Sequence, residues 1–142
     1  MTELLEPALR LAGAGLILLA ALHIPIGRHL RWREETARLS PVNEDVFHVH
    51  AFFICLLLVG MGLPCLLDPA VLLERSRAAA WASWLLAAFW AARLYCQWFV
   101  YRRDLWRGKR FEIAIHWLFT GIWMALTTLF TLCAARQSGF LG

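Results

Sequence analysis

Residues 78–101 read AAAWASWLLAAFWAARLYCQWFVY. Arg93 is the single charge in this stretch, and Gln97 follows it at one helical turn. At about 1.5 Å per residue, a helix of this length covers the ~30 Å hydrocarbon core of a bilayer. Three other stretches, 8–26, 46–67 and 111–134, are comparably apolar and approach the same length. The chain has 142 residues, 61% of them hydrophobic, and a mean hydropathy of +0.59. An ordinary soluble domain is only about half apolar. The sequence therefore predicts an all-α fold, an antiparallel four-helix bundle integral to a membrane. The connections are short, so one domain over residues 1–142 accounts for the whole chain. The first span carries Glu3 and Glu6 beside Arg10 and no small-residue cleavage site, so it is expected to be retained.

The charges orient the bundle. Segment 27–45 holds Arg28, Arg31, Arg33 and Arg38, and segment 102–110 holds Arg102, Arg103, Arg107, Lys109 and Arg110. The other face has Arg10, Arg75, Arg77 and Arg136. Nine cations against four put both odd-numbered loops in the cytoplasm and both termini on the non-cytoplasmic side. This arrangement suits a bacterial inner (plasma) membrane. The net charge of +4 then concerns topology and anionic lipids, and no nucleic-acid partner is implied. Trp81 and Trp84 near the outer boundary, and Trp98, Tyr101 and Trp106 near the inner one, match the levels that amphipathic rings prefer. Trp90 and Trp123 lie deeper and are expected between helices. Cys55, Cys65, Cys96 and Cys133 form no C-x-x-C pair. They read as small packing residues, with a Cys65–Cys133 bridge as the alternative.

Local signals set the helix ends. Gly13 and Gly15 permit a close helix approach, and Pro25 and Gly27 are expected to interrupt the first helix. Residues 28–39 then read as a short interfacial helix with a Glu34–Arg38 pair. Ser40-Pro41 is a helix start, and Glu44 and Asp45 suit the positive end of its dipole. The third helix is expected to run through Trp106 and to close at Gly108.

Polar residues within the apolar stretches carry the functional signal, because ionisable groups in hydrocarbon are costly. Counted from the outer helix ends, His23, His48, His50, Arg93, Gln97 and His116 lie roughly 21 to 28 Å deep. An antiparallel bundle would gather them into one layer in the cytoplasmic half. Arg93, Gln97 and Tyr101 share a face, as do Glu112, His116 and Thr120. On the second helix Asn43 and His50 share a side. His48 and His50 differ by about 200° around the axis, so one at most faces the bundle centre. Arg93 needs a carboxylate, carbonyls, water or an anionic ligand. Glu112 is the nearest candidate carboxylate.

Several functional classes fit this layer. The first is a pocket for an amphiphilic small molecule or lipid, with Arg93, Gln97, Tyr101 and Asn43 binding the substrate. His50 and His116 are then candidates for acid–base catalysis. The second is a metal or haem site drawn from His23, His48, His50, Glu112 and His116; such a donor set suits a transition metal. The third is non-enzymatic, an accessory subunit of a larger membrane complex, and a homo-oligomer is compatible with each. In size, four spans, outward termini and basic first loop, the chain resembles the membrane-associated eicosanoid and glutathione metabolism proteins. That resemblance implies glutathione chemistry as a further alternative. It assigns no residue roles: Arg38, Asn43 and Glu44 depart from the family's spacing, and no histidine stands between Arg38 and Asn43.

Overall fold

The computed structural model describes residues 2–102, 104 and 108–140. Arg103, Trp106 and Arg107, assigned above to the inner boundary, lie outside the described residues. Of the described residues, 87% are helical, and no strand occurs among them. The helices are α1 (Thr2–His29), α2 (Trp32–Thr36), α3 (Pro41–Leu67), α4 (Ala70–Leu73), α5 (Arg77–Tyr95) and α6 (Arg110–Gln137). A π-helical turn, Cys96–Val100, prolongs α5. Glu3–His29 within α1, the whole of α3 and the whole of α6 are long and apolar enough to cross a membrane. The stretch expected as the remaining span is helical as α5 and its π turn. Contacts divide the chain into two units, one over Pro7–Pro69 and one over Ala70–Gly142 with Met1–Glu6.

The Pro7–Pro69 unit is an antiparallel hairpin of α1 and α3. Arg10 Nη1 donates to the Leu66 carbonyl (2.9 Å), Gly13 faces Gly62, and Cys55 Sγ donates to the Ala20 carbonyl (3.8 Å). Ascending positions on α1 thus meet descending ones on α3. A Cβ on Gly13 would stand 2.6 Å from the Gly62 oxygen and 2.6 Å from the Leu66 nitrogen, so the backbones touch only because both residues are glycine. Gly15 has nothing within 4 Å of such a Cβ and contributes no approach. At the other end of the hairpin, the Trp32 ring of α2 meets His23 edge-on at 6.5 Å and Phe47 at 5.2 Å. Gly27 admits that indole: a Cβ there would lie 3.0 Å from Trp32 Cε3.

Several local expectations are corrected here. Pro25 and Gly27 do not break α1, which runs on to His29. Proline removes a single backbone donor, and near the end of a 28-residue helix the remaining ladder carries the chain through it. The interfacial helix contracts to Trp32–Thr36 because Arg31 adopts the left-handed conformation (φ 53°), which ends helical continuity. The Glu34–Arg38 pair is replaced by two exposed i,i+3 pairs, Arg31–Glu34 and Glu35–Arg38. Ser40 stands at the N-cap of α3 with Pro41 behind it, but its side chain makes no capping hydrogen bond.

The second unit is built on an antiparallel pair, α5 and α6. Trp84 Nε1 donates to Ser138 Oγ (3.1 Å), Trp90 stacks on Trp123, and Gln97 bonds His116. Ala79, Ser83, Ala87 and Trp90 are buried along α5, and Thr120, Trp123, Leu126 and Phe130 along α6. Steps of three and four residues are those of one helix face. Arg136 Nη1 and Gln137 Nε2 donate to the carbonyls of Leu73 and Leu72, satisfying the C-terminal end of α4. The α-helix expected through Trp106 ends instead at Tyr95. The Tyr101 N–H then donates to the Cys96 carbonyl (3.3 Å), the five-residue reach of a π turn. Cys65 and Cys133 form no disulfide, so the bridge between them is not made.

Candidate functional site

Arg93 stands near the C-terminal end of α5, one turn before Gln97. Its Nη1 donates to Gln97 Oε1 (3.2 Å) and its Nη2 to Tyr101 OH (3.5 Å). The guanidinium carbon lies 4.8 Å from the Trp123 ring centre and 5.4 Å from that of Tyr101. Each such contact contributes roughly 0.5–2 kcal/mol, the larger value applying where water is excluded. Trp123 itself stacks on Trp90 (5.1 Å, 15°) and on Phe119 (5.4 Å, 22°). The charge is thus lodged against a stack of three aromatic rings.

Gln97 is the hub. Only 5% exposed, it accepts through Oε1 from Arg93 and from Trp123 Nε1 (3.4 Å). Both of those groups can only donate, which fixes the direction of the amide. Gln97 Nε2 must then donate to His116 Nδ1 (2.8 Å). His116 Nδ1 is therefore the unprotonated nitrogen, and the assigned tautomer of the neutral imidazole carries its proton on Nε2. Thr120, 2% exposed, donates to the His116 carbonyl (2.8 Å).

No carboxylate lies within ion-pair distance of Arg93 among the described residues. The Arg93–Glu112 pair is not formed, and helix geometry says why. Glu112 is in the first turn of α6, whereas Arg93 lies over Trp123, about 16 Å further along that helix. Trp90 Nε1, buried beside the same Trp123 ring, has no hydrogen-bond partner among the described residues.

The remaining candidates belong to the Pro7–Pro69 unit. His23 Nδ1 donates to the Leu19 carbonyl (2.8 Å) and His50 Nδ1 to the Val46 carbonyl (2.7 Å). Thr36 spends its hydroxyl proton on the Trp32 carbonyl (2.8 Å), so His48 Nε2 is the donor in their 3.3 Å contact. His48 is thus the histidine that engages α2, while the bond of His50 is to its own helix; both residues are exposed. Asn43 is exposed on the first turn of α3. Among the described residues, no three His, Cys, Asp or Glu side chains come together as a metal would require.

The structure therefore brings together Arg93, Gln97, Tyr101 and His116 from the expected layer. Trp123 was expected between helices, but its contact with the guanidinium was not. Its spacing of seven from His116 and three from Thr120 on α6 already placed it on their face. Comparison of the chain with models of protein families, with curated proteins and with solved structures gives no match.

Proposed function

We propose that the chain is a polytopic membrane protein of four spans that binds an amphiphilic small molecule or lipid with an anionic head at Arg93. In this reading α5 and its π turn form the fourth span, and both termini lie on the non-cytoplasmic side. One observation carries the reading: a half-buried guanidinium held by Gln97, Tyr101 and Trp123 with no carboxylate partner among the described residues. Protein that only needs a structural arginine commonly supplies a counter-ion, because an unneutralised charge in an apolar surround is costly. A preorganised cation beside hydrogen-bonding groups and apolar rings is the usual composition of a small-molecule site. The π turn adds to this, since single π turns recur at functional sites.

The reading assigns Arg93 to the charge, Gln97 and Tyr101 to its orientation, and Phe119, the half-exposed ring of the Trp90–Trp123–Phe119 stack, to the apolar part of the ligand. His116, the histidine within the cluster, is the candidate for proton transfer should binding lead to conversion. The test is extraction of the full-length protein in mild detergent, followed by native mass spectrometry of bound lipids. Wild-type protein is expected to retain an anionic amphiphile that the Arg93→Leu protein, equally helical, releases. Equal retention by both proteins argues against the reading. Co-purification with another membrane protein and no bound amphiphile favours the accessory-subunit reading, and a Soret band or stoichiometric metal favours a haem or metal site.

A further inference from the structure

We propose that the ligand at Arg93 is a single-chain carboxylate amphiphile of the fatty-acid class, an inference that rests on the binding reading above. A guanidinium has more N–H donors than the two that Gln97 and Tyr101 engage. Those left over can form the two-pronged contact that matches a carboxylate or a phosphate. Depth decides between these sources. Trp123 stands 13 residues after Arg110 and 14 before Gln137, the ends of α6. It is therefore about 20 Å along the helix from either end. Arg93, its guanidinium 4.8 Å from the Trp123 ring, is thus level with the middle of α6, a helix long and apolar enough to cross a membrane.

A phospholipid reaching that level would have to draw its phosphate, glycerol and both chains roughly 10–15 Å out of the head-group plane. A fatty acid has nothing polar beyond two carboxylate oxygens, and both can be occupied by the guanidinium. Its charge supplies the counter-ion that no described carboxylate provides. Phe119, the half-exposed ring of the Trp90–Trp123–Phe119 stack, gives its chain apolar contact at the same level. Trp90 Nε1, a buried donor without a partner among the described residues, belongs to the same stack. An amine is repelled by Arg93, and a neutral alcohol or ester leaves the charge unneutralised.

The experiment uses full-length protein in non-ionic detergent and follows quenching of tryptophan fluorescence by dibromostearate. Saturable quenching is expected, displaced by oleate but not by methyl oleate or dioleoyl phosphatidylglycerol. Arg93→Gln should weaken it by about tenfold or more, and Arg93→Lys, which keeps the charge without the fork, by less. Arg93-dependent binding of phosphatidylglycerol with none of oleate overturns the carboxylate assignment and leaves the amphiphile reading standing. No Arg93-dependent binding of either overturns both. Should circular dichroism show that Arg93→Gln fails to fold, the wild-type competition decides alone, and displacement by methyl oleate equal to that by oleate overturns the proposal.

Discussion

Gln97 joins a cation, an indole and an imidazole through one side-chain amide, and the neutrality of that amide is what leaves Arg93 uncompensated. Two substitutions separate its structural part from its effect on charge. Gln97→Leu removes the acceptor for Arg93 and Trp123 and the donor to His116, stranding groups in a nearly buried place. A loss of roughly 1–3 kcal/mol is expected, read as earlier thermal unfolding in detergent. Gln97→Glu instead puts a carboxylate against the guanidinium. The protein is expected to stay folded while Arg93-dependent binding of an anionic amphiphile falls, because the site now contains its own counter-ion. Undiminished binding by Gln97→Glu would contradict the charge argument. Much of this cluster was legible in the chain: Arg93, Gln97 and Tyr101 recur every fourth residue, and His116, Thr120 and Trp123 follow one face of the next helix. The direction of each hydrogen bond was not legible, since it follows from which atoms meet across the hairpin.

Each element pair is closed by a different device. The α5–α6 pair uses large rings, with Trp90 and Trp123 stacked between the helices. The α1–α3 pair uses the absence of side chains, with Gly13 against Gly62. Gly13 could be singled out from the Gly-Ala-Gly sequence, but Gly15 looked equivalent, and only the rotation of α1 about its axis distinguishes them. Gly13→Ala forces a methyl against α3 backbone that cannot yield as a side-chain tip can. It should cost about 1–3 kcal/mol, the range for overpacking. Gly15→Ala meets no atom within 4 Å and gains helix propensity, so its stability should be unchanged or slightly higher. Thermal unfolding of the two alanine variants side by side checks the pairing, and equal melting would count against the close approach. The same dependence on rotation explains the histidines of α3. Sequence spacing showed that His48 and His50 point to different sides, and the contact with Thr36 selects His48 as the one that meets α2.

For the whole molecule, the apolar stretches made an all-helical membrane protein legible, because backbone groups in hydrocarbon must satisfy one another within each helix. The helix boundaries were less so: Arg31 turns left-handed and Cys96–Val100 winds as a π turn, and neither follows from hydropathy. At this scale the deciding helix is α5. Three other helices meet the length and apolarity needed to cross a membrane, whereas α5 carries Arg93 in its last turn and leads into a π turn that carries Gln97. Its number of crossings decides where Arg93 lies, and with four crossings both ends of the chain share one side. In the proposed topology, the distribution of Lys and Arg, nine against four, is expected to put segments 27–45 and 102–110 in the cytoplasm. Reporter fusions after Gly142 and within segment 31–38, made in bacterial cells, test both statements. A fusion active only outside the cytoplasm is expected at Gly142, and one active only inside it at 31–38. If the Gly142 fusion reports from the cytoplasm while 31–38 does too, α5 does not cross, and the depth assigned to Arg93 fails with it.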